Sequence, residues 1–233
     1  MDGKRVFTEE ELDSLTKPRL ALAKQAIERG SKEEAEEMVQ ALHDEFMVVH
    51  DVFRDWLTDI YSEIGRQFGD EKLHEIMVKT VGNYMKPIGE LFKKGFKECV
   101  EATAAIWRAH FSEFELREDD EKVTFVLKLC GTGGRQIRDG KYGPPLNLLR
   151  VEEPQVMTGQ SKNCPVYCAH CVSMTEAMID QKMDFVYVVE IEDNKDNPEH
   201  LFHIYKDPSK VPDRIYHNLG RKKPNQGACN QQS

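Results

Sequence analysis

Three thiols fall close together in the run Asn163-Cys164-Pro165-Val166-Tyr167-Cys168-Ala169-His170-Cys171. A buried cysteine behaves as a small hydrophobe, and packing alone gives no reason for three to cluster. Thiolates that converge repel one another unless a cation lies between them, and zinc takes four such ligands in a tetrahedral array. Spacings of four and three turn the side chains of Cys164, Cys168 and Cys171 roughly one way if the segment is helical. Cys130, placed after a predicted strand, is the natural fourth ligand. His170 is the alternative, although helical geometry turns it from its neighbours. The expected metal ligands are therefore Cys130, Cys164, Cys168 and Cys171. The expected ion is zinc, with an iron–sulfur cluster as the alternative, because four thiolates serve either.

The second run with chemistry in it is Cys130-Gly131-Thr132-Gly133-Gly134-Arg135. Glycines let backbone N–H groups turn toward an anion, and an arginine fork pairs with a carboxylate or phosphate. The Gly-Lys-Ser/Thr ending of a P-loop is missing. Two readings stand. In one, the glycines form a tight turn that presents Cys130 as a ligand. In the other, Cys130 is a nucleophile that faces N–H donors and takes His110, His200 or His203 as its base. Arg135, His110 and Trp107 are the expected walls of a pocket for a small anionic or aromatic molecule. Elsewhere, His43 and His50 share a helix face, and Glu71 and His74 make one Glu-x-x-His. A di-iron bundle needs two such motifs and two further carboxylates.

These residues need elements to position them. Thr8 with Glu11, and Ser31 with Glu34, have the form of capping boxes. Val39, Leu42, Phe46, Val49, Phe53, Trp56, Ile60 and Ile64 recur at three- and four-residue steps, the stripe of an amphipathic helix. Gly65 to Gly69 should end it, Asp70 should cap another helix, and Pro87 should kink or stop that one. A last helix carries Val100, Ala104, Trp107, Phe111 and Phe114. From Val123 to Leu129 apolar and polar residues alternate as in a half-buried strand. Residues 130 to 163, rich in Gly and Pro, read as a long ordered loop, and 168 to 181 as a helix. Residues 185 to 191 and 201 to 205 read as the strands of a hairpin, joined by the turn cluster 193 to 198.

The expected architecture is α+β: an N-terminal helical bundle packed on a small C-terminal antiparallel sheet with a Cys-rich helix. The expected division is a helical region 1–117, a Cys-rich α+β region 118–220, and a polar tail 221–233. The chain has 233 residues and a formal net charge of -9. That acidity, with no basic face, argues against a nucleic-acid partner. No apolar run has the length of a membrane span. The sequence Met-Asp-Gly-Lys-Arg-Val-Phe lacks the apolar core of a signal peptide, so a reducing, cytoplasmic setting is expected, where clustered cysteines favour metal over disulfides. A homodimer is compatible with these features.

A strand, a helix opened by cysteines, and a two-stranded hairpin make the last hundred residues resemble the four-vinyl-reductase domain family. Cys164 and Cys168 look like that family's paired helix cysteines, and Glu190 is similar to a recurrent acidic position. The family places further cysteines in the hairpin. Here residues 185 to 205 have none, and His200 and His203 are the soft ligands available there. The resemblance implies a zinc ion beside a pocket for a small aromatic molecule. The sequence thus points to a metal-binding protein, with zinc held by cysteines beside a small-molecule cavity. The alternative is a metal- or cysteine-dependent enzyme, such as a hydrolase acting on a small carboxylate.

Overall fold

The structure, a computed structural model, describes residues 6–92, 94–183, 185–191 and 200–223. The chain divides into two compact units, residues 1–53 and 54–233.

The first unit is helical. Helix α1 (Glu9–Thr16) opens on the predicted box: the Thr8 hydroxyl accepts from the Glu11 N–H at 3.1 Å, and Glu11 accepts from the Thr8 N–H at 2.7 Å. Two of the N–H groups left over at a helix start are satisfied in this way. Helix α2 (Arg19–Glu28) leads through Gly30, in the left-handed region at φ 76°, into α3 (Lys32–Phe92). Arg19 reaches along α3 to Glu45 at 2.8 Å. The buried apolar residues described in this unit are alanines, Ala23, Ala26 and Ala35; Leu22, Met38 and Met47 are half-buried, and its other large apolar side chains are exposed. Of the amphipathic stripe on α3, Val39 to Ile60 are exposed, and Ile64 packs against a core of Tyr61, Leu73 and Met77.

The backbone of α3 leaves helical geometry at Gly69, at φ 79° and ψ 169°, within the predicted Gly65 to Gly69 stop. Beyond it the backbone stays helical through Pro87 to Phe92, so the stop expected at Pro87 does not occur. Helix α4 (Phe96–Ala109) ends sooner than its apolar spacing suggests. Phe111 takes a positive φ of 56°, and Phe114 lies in a strand instead of the helix. The segment Glu-Phe-Glu-Leu-Arg-Glu alternates with period two, and a neighbouring strand supplies its hydrogen bonds.

The sheet is antiparallel throughout, in the order β1 (Glu113–Glu118), β2 (Lys122–Leu129), β6 (His200–Tyr205), β5 (Tyr187–Ile191). Phe125 pairs with Phe202 and Leu127 with His200. Residues 200, 202 and 204 share one face, and all three are buried. A core of Trp107, Phe125, Leu127, Phe202, Ile204 and Met178 covers that face. Residues 193–198, the expected hairpin turn, lie outside the described residues, as do Cys229 and the end of the expected tail.

The expected long loop is structured. It holds α5 (Gly133–Arg138), a short ladder of β3 (Arg150–Val151) with β4 (Cys164–Pro165), and a 3₁₀ turn at Val156–Thr158. Helix α6 (Val166–Asp180) then runs buried on nearly every side over its first turns, which explains its apolar texture without amphipathic period. No helix among the described residues is long and apolar enough to cross a membrane.

Candidate functional site

Two strands and one helix bring a set of soft side chains together in the second unit. Cys130 follows β2 directly. His200 opens β6, where the register with Leu127 sets it beside the end of β2. Cys168 and Cys171 lie one helical turn apart on α6. All four are buried, and His200 is 1 % exposed.

The glycines of the turn make this proximity sterically possible. A Cβ on Gly133 would stand 2.9 Å from the Cys168 sulfur, so a larger residue would push α6 from the turn. A Cβ on Gly131 would fall 1.7 Å from the His110 carbonyl oxygen. The Gly131 N–H also donates to the Ser112 hydroxyl at 3.0 Å, which ties the turn to the end of α4. Helix α5 is anchored by the buried Gln136, whose amide donates to Asp55 at 2.9 Å and Thr58 at 2.8 Å. The two glycines therefore allow close packing around Cys130, in line with the tight-turn reading.

The electrostatics single out one thiol. Burial pushes the Cys130 thiol up, but His200 beside it, the Gly134 N–H and the Thr132 hydroxyl at 3.2 Å together pull it down to about 6. His200 responds in the opposite sense. Burial pushes it down, while the Cys168 and Cys130 sulfurs raise it to about 10. The two shifts run in opposite senses, each caused in part by the other group, so the pair favours a thiolate beside a protonated imidazole when no ion is bound. Neither ring nitrogen of His200 makes a conventional hydrogen bond, although both are buried. Such a group at the centre of a native core calls for a partner. Burial raises the Cys168 thiol, and His200 partly offsets this. Burial also holds Cys171 well above its ordinary value, with Cys130 the first of the neighbouring thiols to act on it.

The remaining expected residues fall around this centre. Cys164 lies on β4, before α6, and burial pushes its thiol up to about 12. It stands outside the helix yet near enough for its charge to raise both Cys168 and Cys171. His170 bonds the Tyr167 carbonyl through Nδ1, and its Nε2 lies 3.8 Å from the Cys171 sulfur. Arg135 sits in α5, half-buried, and its N–H donates to the Cys130 carbonyl at 3.0 Å. Trp107 packs on Phe202 with ring centroids 4.5 Å apart, as part of the core. His110 caps α4 and meets the turn through its backbone. Among the described residues, no three His, Cys, Asp or Glu side chains stand in a ready-made metal-ligand arrangement.

Sequence reasoning named His200 among several histidines without a reason to prefer it. The signal was the row His200, Phe202, Ile204, in which a histidine occupies a core-facing strand position. A second buried group escaped it. Glu176 on α6 is fully buried, accepts from His74 Nε2 at 2.7 Å, and lies 3.3 Å from Arg221. His74, the one member of the Glu-x-x-His motif with a polar partner across the fold, thus serves a buried ion pair.

Fold and site define an α+β chain with a buried thiol–imidazole centre. No family model, curated protein or solved structure matches this chain.

Proposed function

We propose that the protein binds one soft divalent ion, zinc, at Cys130, Cys168, Cys171 and His200. The observation that carries this reading is His200, a buried imidazole whose polar neighbours are the Cys130 and Cys168 sulfurs, neither of them in regular hydrogen-bond geometry. Neutral imidazole and thiolate are the ligands zinc prefers, and a Cys₃His set is a usual closed site. Ion uptake would convert unsatisfied buried groups into coordinated ones, with small side-chain rotations drawing the ligands in. Cys164 is replaced by His200 in this set, relative to the sequence expectation. A closed, buried set suits an ion that holds β2, β6 and α6 together, and the iron–sulfur alternative would need Cys164 in place of His200.

The test is metal analysis of protein purified under reducing conditions, followed by zinc titration of the stripped chain. One equivalent of zinc, colourless and lost on His200→Ala or Cys130→Ser, is expected. A dissociation constant weaker than about 1 µM for the stripped chain would overturn the proposal.

One observation favours a second reading. His200, the Gly134 N–H and the Thr132 hydroxyl surround a single sulfur, which is how a nucleophilic cysteine is activated. Cys130 would then attack the acyl carbon of a small ester or amide and expel its alcohol or amine, with Arg135 on the adjoining helix holding a carboxylate elsewhere on that substrate. A stripped protein that binds no zinc but is alkylated selectively at Cys130 supports this reading over the first.

A further inference from the structure

The first unit carries a surface that a core cannot explain. On α3, Val39, Leu42, Phe46, Val49 and Phe53 are 55 %, 40 %, 50 %, 50 % and 59 % exposed. Their steps are three, four, three and four, and the sequence keeps that rhythm through Trp56 and Ile60. This is the a/d repeat of a coiled coil, whose period of 3.5 keeps one seam facing a partner helix. Among the described residues of its own unit the fully buried apolar ones are Ala23, Ala26 and Ala35, with Leu22, Met38 and Met47 half-buried, a small core for folding alone.

We propose that this seam binds the same seam of a second copy of the chain, with the two helices antiparallel. The argument for a second copy is size complementarity. An antiparallel two-fold axis between residues 47 and 48 sets Leu42 opposite Phe53 and Phe46 opposite Val49, and each layer occurs twice. Every layer then joins one aromatic to one aliphatic side chain, the alternation that fills a helix interface without voids. A parallel pair would set Phe46 on Phe46 and Phe53 on Phe53, with Val49 on Val49 leaving a gap between them. Flanking positions agree: the antiparallel axis places Glu45 opposite Val52 and opposes no two carboxylates across the seam. Val52 is itself 59 % exposed and widens the apolar strip.

The seam with Val52 offers about 500 Å² per helix, hence about 1,000 Å² across the pair, the lower bound for a specific interface. A lipid surface is the weaker occupant. Glu33, Glu34, Glu36, Glu37, Asp44 and Asp51 make this helix acidic, whereas membrane-surface helices carry Lys and Arg on the polar face.

The experiment uses the full chain. Sedimentation equilibrium is expected to show a dimer, and Phe46→Glu, whose effect is felt twice per dimer, to weaken it at least about a hundredfold. Circular dichroism checks that the variant keeps its helix. Phe46→Cys and Val49→Cys variants supply a second measurement. Mixed and oxidised, they are expected to cross-link to each other, while either alone gives no more than the native cysteines give. A chain that sediments as a monomer up to about 100 µM overturns the proposal. So does a dimer indifferent to Phe46→Glu, and so does cross-linking of Phe46→Cys with itself, the mark of a parallel pair.

Discussion

Replacing His200 by alanine isolates the interaction at the heart of the site. In the folded chain the Cys130 thiol stands at about 6, against an ordinary 9.0. That difference of about three pH units corresponds to about 4 kcal/mol between the thiolate and the thiol. His200 is the first group to oppose burial there, so without it burial prevails and the thiol returns to its ordinary value or above. At pH 7 the thiolate fraction at Cys130 should fall from about 90 % to about 1 %. The measurement is the ultraviolet thiolate absorbance of metal-free protein titrated with acid, with mass spectrometry to locate the alkylated sulfur after a brief pulse of reagent. Cys99 and Cys164, both pushed up to about 12 by burial, contribute no thiolate at that pH. His200→Gln serves as a control that keeps a polar side chain and removes the charge. A thiolate that survives at pH 7 in folded His200→Ala would show that Gly134 and Thr132 suffice, and would refute the reasoning.

The same pair should shape stability against pH in the metal-free chain. Cys130, lowered on folding, contributes stability that is present above 9.0 and lost as pH falls toward about 6. His200, raised on folding, contributes stability that is present below 6.5 and lost as pH rises toward about 10. The two describe one ion pair, so thermal melts should show a plateau between about 6.5 and about 9, with a decline on each side. The double variant Cys130→Ser, His200→Gln should lack both declines. Gly131→Ala should cost about 3 kcal/mol in a urea melt, because its Cβ meets the backbone oxygen of His110 at 1.7 Å. An unchanged midpoint would mean that the turn relaxes freely. His74→Ala removes the donor to the buried Glu176 and should cost about 1.5–3 kcal/mol, while Glu75→Ala on the exposed face should change the midpoint little.

The sequence by itself determined the elements whose signals are local. Thr8 and Glu11 specify the start of α1, because a capping box is settled within four residues. Alternation specifies β2, β5 and β6, since period two turns one face inward whatever the partner strand. The Gly69 break follows from a positive φ that glycine adopts without strain.

The proposed exchange of Cys164 for His200 rests on tertiary structure. Cys164 and Cys168 are four apart in sequence, but the β3–β4 ladder holds Cys164 in a strand, so helical spacing does not relate them. His200 became the centre through the β2–β6 register, which joins residues some seventy apart and leaves no trace in either segment. Phe114 left its helix because β2 offered backbone bonds that local apolar spacing does not report. The stripe on α3 could be read as an amphipathic face, yet whether such a face meets a core or the surface depends on what packs against it. Local sequence fixes which face of an element is apolar. Which groups meet there, and whether a thiol beside them holds its proton, is decided by residues distant in the chain.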